Sequence, residues 1–168
     1  MSEAFLKADI HEYGRLMQEL LSMGKTVRIG ITGGSMYPLL RQGKDMVSIS
    51  PCTFLEVKRG DLVWTILAGN RPVLHRVIWK TSKHFWLNGD RKMRIEGAYA
   101  PDQITGRVEM VHRLLAKPDT FRDINVHSAA MKRYVAIWLL LWPVRFFITG
   151  MAIHFLLPLR KLCGRLYR

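Results

Sequence analysis

Hydrophobic and polar positions change period twice along the chain. Over residues 3–23, Phe5, Leu6, Ile10, Tyr13, Leu16, Met17, Leu20 and Leu21 recur at intervals of three and four, and Gly24 ends the pattern. This spacing predicts an amphipathic helix within residues 1–25. From Thr26 the pattern becomes short alternating or continuous apolar runs: TVRIGIT (26–32), MVSIS (46–50), DLVWTI (61–66), PVLHRVIW (72–79), HFWLN (84–88) and ITGRVEMVHRLL (104–115). Gly43-Lys44-Asp45, Arg59-Gly60-Asp61, Gly69-Asn70 and Asn88-Gly89-Asp90 separate them, and such clusters favour hairpins and tight turns. Residues 116–133 read as a polar linker. Residues 134–159 are almost wholly apolar, and a basic tail, 160–168, follows. The pattern therefore predicts a mainly β domain at 26–115, with an N-terminal amphipathic helix and a C-terminal apolar helical membrane segment.

A chain of 168 residues suits one compact domain with accessory segments. Its 26 Lys and Arg against 13 Asp and Glu are unevenly spread, because no acidic residue follows Asp123. A cationic tail suits nucleic-acid phosphate or anionic lipid, and the adjoining apolar run selects the membrane and no nucleic acid. Within that run Arg145 would cost roughly 2.5–3.5 kcal/mol at a bilayer centre, against roughly 0.3–0.6 returned by each Leu, Ile, Phe or Val. Pro143 and Arg145 leave both a kinked single span and an interfacial helix open. The two cysteines, Cys52 and Cys163, are isolated and predict no disulfide framework. No His or Cys grouping has metal-ligand spacing, so neither a metal nor a cofactor is expected. Residues 1–25 carry no signal-peptide pattern, which favours a cytoplasmic face for the domain. The basic cluster after Leu159 places the tail on that same face, and both hold together only for an interfacial or re-entrant segment.

Chemistry is concentrated in four short boxes, GGSMYPLL (33–40), KRGDLV (58–63), VLHRVI (73–78) and NGDR (88–91). Gly33 and Gly34 allow a turn that exposes Ser35 and brings backbone close to a bound peptide. His75 offers a base that is neutral near pH 7, as a serine nucleophile requires. The other histidines, at 11, 84, 112, 127 and 154, read as structural or surface residues.

Taken in order, Gly-x-Ser-Met-x-Pro at 33–38, Arg-Gly-Asp-Leu-Val at 59–63, His-Arg-Val-Ile at 75–78 and Gly-Asp at 89–90 resemble the superfamily of type I signal peptidases and self-cleaving SOS repressors. The resemblance covers roughly residues 26–111 and implies a signal-peptidase-like β domain with serine endopeptidase activity. It implies Ser35 as nucleophile and, from the VLHRVI context, a histidine base, His75, as in the endoplasmic-reticulum branch. Lys80 and Lys83 lie beyond the box and do not suit the alternative lysine base. For the acid that orients the imidazole, the resemblance offers Glu96 or Asp90, with Glu96 favoured. Leader peptidases can supply an oxyanion hydroxyl two residues before the nucleophile, where this chain has Gly33. The hole would then rest on main-chain N–H groups around Gly33, Gly34 and Met36, with that of Ser35 itself leading. Asp45 reads as structural. The substrate would be a signal or leader peptide added as an extended strand near 26–32.

Two other classes compete. A non-catalytic peptide-binding module on the same fold would have no use for both Ser35 and His75. A self-cleaving repressor needs a DNA-binding domain that residues 1–25 are too short to form, and its candidate Ala68-Gly69 bond follows the serine. Ala98-Tyr99-Ala100 mimics a cleavage triplet but precedes Pro101 and reads as a loop.

Overall fold

The computed structural model describes residues 10–67, 71–117 and 119–151, with side chains from residue 12 to 144 within those limits. The start of the predicted helix, residues 1–9, and the end of the apolar run and basic tail, 152–168, lie outside the described residues.

Helix α1 (Ile10–Ser22) follows the three-and-four spacing and buries Met17 and Leu21, while Leu16 faces outward. It stops at Gly24, whose φ of 75° favours glycine. The Lys25 N–H bonds Leu20 O at 3.1 Å and the Gly24 N–H bonds Leu21 O at 3.0 Å. These are the two bonds of a Schellman C-cap. Leu21 then packs over the sheet: a Cβ on Gly106 would lie 3.0 Å from Leu21 Cδ1 and 2.7 Å from Ile49 Cγ2. Gly106 makes room for the helix.

Eight antiparallel strands follow: β1 (Val27–Gly30), β2 (Met46–Ser50), β3 (Leu62–Leu67), β4 (Arg71–Lys80), β5 (Phe85–Asn88), β6 (Glu96–Tyr99), β7 (Ile104–Leu114) and β8 (Phe121–Asn125). Their spatial order is β1-β2-β7-β3-β4-β5-β6, and β8 pairs with β7. The mainly β prediction therefore holds. Strand β7 is long enough to give its first half to β3 and its second half to β8, while β2 runs along its other edge. Val57, Val63, Val77, Phe85, Leu87 and Ile104 form the core beneath β3, β4 and β5.

Two strands lie where none was expected. β6 occupies EGAY, and β8 occupies FRDIN within the stretch read as a linker. Neither has an apolar alternation strong enough to announce itself. Each is held by its one partner strand, through Phe85↔Tyr99 and Leu87↔Glu96 for β6 and through Met110↔Asn125 to Leu114↔Phe121 for β8.

Helix α2 (Ala129–Met151) begins before the predicted residue 134. Ser128 caps it, accepting the Met131 N–H on Oγ at 3.2 Å. Residues to Lys132 belong to the β unit and those from Arg133 to a second unit. In the second unit Tyr134 and Trp138 stack at 5.8 Å, and Ile137, Leu140, Leu141 and Val144 are exposed. Among the described residues no helix is long and apolar enough to cross a membrane.

Candidate active site

Strand β1 runs through Ile31 and Thr32 into the turn that carries Ser35. The turn's own bonds link Tyr37 N–H to Gly34 O at 3.3 Å and Leu40 N–H to Met36 O at 2.9 Å. They leave the Ser35 and Met36 N–H groups aside. Met36, Leu39 and Leu40 are buried and pin the turn to the domain, while Tyr37 stays exposed. Asp45, 1% exposed, closes the segment from behind. It accepts the Arg41 N–H and guanidinium, whose Nη2 also donates to Leu114 O at 2.6 Å. Burial raises the Asp45 pKa, but Arg41 and Arg113 outweigh burial and hold it below the ordinary carboxylate range. Through Arg41 it ties the loop that carries Ser35 to β7, a structural role.

His75 stands on β4 opposite Val63 and beside the core residue Val77. Its Nε2 lies 3.1 Å from Ser35 Oγ, and its Nδ1 lies 2.9 Å from Glu96 Oε2. Both distances are within the reach that proton transfer and imidazole orientation require. Burial, with His75 3% exposed, is the main force pushing its pKa below 6.5; Glu96 opposes it, and Lys92 and Arg71 add to it. The imidazole is therefore neutral at pH 7 and available as a base. Burial also raises the Glu96 pKa, but the Lys92 hydrogen bond and His75 prevail, keeping Glu96 an anion.

Of the two acids that sequence offers, Glu96 reaches the imidazole and Asp90 is bound elsewhere. Asp90 takes Arg76 Nε at 2.7 Å and Arg76 Nη2 at 2.6 Å, and Arg76 Nη1 donates to Gly60 O at 2.7 Å. All three boxes after the serine box meet in that one buried ion pair. Asp90 is thus a clamp between β4, the Arg59-Gly60-Asp61 turn and the Gly89 loop.

The contribution of Gly89 is closeness. A Cβ there would sit 2.9 Å from Ser35 O and 3.1 Å from both His75 Nε2 and Ser35 Cβ. Only glycine lets this loop support the pair from beneath. The Arg91 N–H donates to Ser35 O at 2.8 Å, so the loop also holds the backbone of Ser35. By contrast, a Cβ on Gly33 meets nothing within 4 Å, which leaves the position two residues before Ser35 open. A Cβ on Gly34 would touch only side chains, Arg91 Nη1 at 3.4 Å and Gln42 Oε1 at 3.6 Å.

A second array escaped sequence reading. Ser48 Oγ lies 2.7 Å from His112 Nε2, and His112 Nδ1 lies 2.6 Å from Asp123 Oδ1. The atoms match those of the first array, but the setting does not. Ser48 sits in the middle of β2, paired with β1 on one side and β7 on the other, so its backbone is engaged in the sheet. No glycine turn presents it. His112 ties β2, β7 and β8 together. Cys52, half-buried, has its thiol pKa pushed up to about 11 chiefly by burial, which leaves it un-ionised and a poor nucleophile. Among the described residues no group of His, Cys, Asp and Glu could hold a metal ion.

No protein-family model matches the chain, and no curated protein matches it either.

Proposed function

We propose that this chain is a membrane-associated serine endopeptidase that cleaves signal or leader peptides through Ser35, His75 and Glu96. The carrying observation is the continuous line from Ser35 Oγ through His75 to Glu96, at 3.1 and 2.9 Å, on a serine presented by a glycine turn. An extended peptide adds to β1, which ends the strand order and leads directly into the nucleophile turn. Ser35 Oγ attacks the scissile carbonyl while His75 Nε2 takes its proton. The Glu96 carboxylate stabilises the resulting imidazolium. The proton passes to the leaving amine, and water activated by the same imidazole releases the acyl group. With Gly33 in place of a hydroxyl-bearing residue, the N–H groups of Ser35 and Met36 are the donors proposed for the oxyanion.

Membrane association is proposed through α2, whose exposed Ile137, Leu140 and Val144 suit lipid. On the β unit, Trp79 and Leu55 are exposed among Lys58, Arg59 and Lys80, a composition that suits an anionic interface.

The test is hydrolysis by the full chain, reconstituted in vesicles, of peptides bearing leader sequences, with products identified by mass. Wild type and Ser48→Ala are expected to cut the same bond at rates within about twofold, since Ser48→Ala removes only a strand tie. Absence of any cleavage, or loss of cleavage in Ser48→Ala, would contradict the proposal.

A further inference from the structure

The line from Ser35 does not end at Glu96. Glu96 Oε2 accepts from His75, and its other oxygen, Oε1, accepts from Lys92 Nζ at 2.8 Å. We propose that Lys92 is a positioning residue for the peptidase site, tying down the second oxygen of Glu96 so that the first stays aimed at His75 Nδ1. The inference rests on the serine peptidase reading and extends it by one residue.

Three features of the fold make such a tether necessary. Glutamate has one more rotatable bond than aspartate, so its carboxylate swings more widely unless both oxygens are held. Glu96 opens β6, a four-residue strand at the end of the sheet whose pairing with β5 is irregular between Phe85 and Leu87. Its backbone alone is a weak mount. The loop before it, in contrast, is braced: Lys92 N–H donates to Gly89 O at 2.7 Å, Arg91 N–H to Ser35 O at 2.8 Å, and Asn88 Nδ2 to Arg94 O at 2.8 Å. Lys92 thus transfers the rigidity of the loop beneath Ser35 to the acid on the other side of the imidazole.

The same ammonium has an electrostatic effect. The charged groups that face His75 are Glu96, Lys92 and Arg71. Glu96 favours the imidazolium, and the two cations oppose it. Removing Lys92 removes one opposing cation and leaves the carboxylate more basic, so protonation of His75 begins at higher pH. Because the Lys92 side chain is 41% exposed, its contribution to folding stability is small. Its contribution to position and charge is what an experiment can isolate.

The experiment is an NMR pH titration of the His75 imidazole in the full chain, in wild type, Lys92→Met and Lys92→Arg, alongside the pH profile of peptide hydrolysis. In Lys92→Met the His75 titration is expected to move to higher pH. The acid limb of kcat/KM should move the same way, and kcat at pH 7 should fall about tenfold with KM little changed. Lys92→Arg keeps the charge and the donor and should restore most of both. Thermal unfolding should be nearly the same in all three. An unmoved His75 titration in Lys92→Met, or one moving to lower pH, overturns the proposal whether or not a substrate is in hand. A peptidase reading that failed would instead show itself as unchanged hydrolysis in Ser35→Ala.

Discussion

Ser35→Ala is expected to lower kcat by about four to six orders of magnitude, and His75→Ala by about as much. The reason is that neither group works without the other. A serine hydroxyl is a weak nucleophile until the imidazole 3.1 Å away removes its proton, and every later task proposed for that imidazole depends on the acyl group that Ser35 takes up. The double variant should therefore be no slower than either single one. Independent contributions would multiply instead, to about eight orders or more. Glu96→Ala should cost less, about four orders, because the imidazole still has its ring nitrogen beside Ser35 but loses its orientation and its partner charge. Ser35→Ala should leave the unfolding midpoint almost unchanged, since it removes one half-buried hydroxyl from a turn held by Met36, Leu39 and Leu40. Steady-state kinetics on the four variants checks the set. Multiplicative losses would mean that Ser35 and His75 do not act as one unit.

Asp90→Ala is expected to destabilise the domain by about 3–5 kcal/mol, the largest stability effect predicted for any single change here. Arg76 is 1% exposed and Asp90 2%, so deleting the carboxylate strands a buried guanidinium. A domain of this size has a total stability of only about 5–15 kcal/mol, so a substantial fraction of the margin is lost. Replacing both partners, Arg76→Met with Asp90→Leu, should recover most of that loss, because two charges no longer need to be kept out of water. Urea unfolding at constant m-value measures both. Asp90→Ala within about 1 kcal/mol of wild type would show that the pair is not what joins the three boxes. The contrast with Glu96 is the useful part. The acid in the Gly89 loop is predicted to govern stability, and the acid that opens β6, catalysis.

Much of this was legible in the residues. The helix announced itself through its three-and-four spacing and Gly24, and six of the eight strands through alternating or continuous apolar runs. Ser35 and His75 stood out as a pair only through the resemblance carried by the four boxes in order; alone, a glycine turn and a strand histidine are more often structural. What escaped detection was whatever depends on the third dimension. EGAY has one large apolar side chain, and nothing in it predicts a strand until β5 supplies a partner. FRDIN shows mixed polarity because it contributes little to the core. Along the chain Glu96 was only slightly favoured over Asp90; the contact of Glu96 with His75 and the pairing of Asp90 with buried Arg76 separate them. Lys92, four residues before Glu96 in a non-helical segment, has no sequence signal that would link it to an imidazole. Ser48, His112 and Asp123 lie on three strands, and their line shows that Ser-His-acid distances alone do not define a nucleophile. The proposal for Ser35 rests on the turn that carries it as well.

That distinction yields the most direct test. The full chain treated with a fluorophosphonate, which traps an activated serine, should gain one adduct, and peptide mapping should place it on Ser35. Labelling should disappear in His75→Ala and slow as the pH falls and His75 becomes protonated. An adduct on Ser48, or labelling of Ser35 at the same rate in His75→Ala, would contradict the central claim that Ser35 is a nucleophile activated by His75.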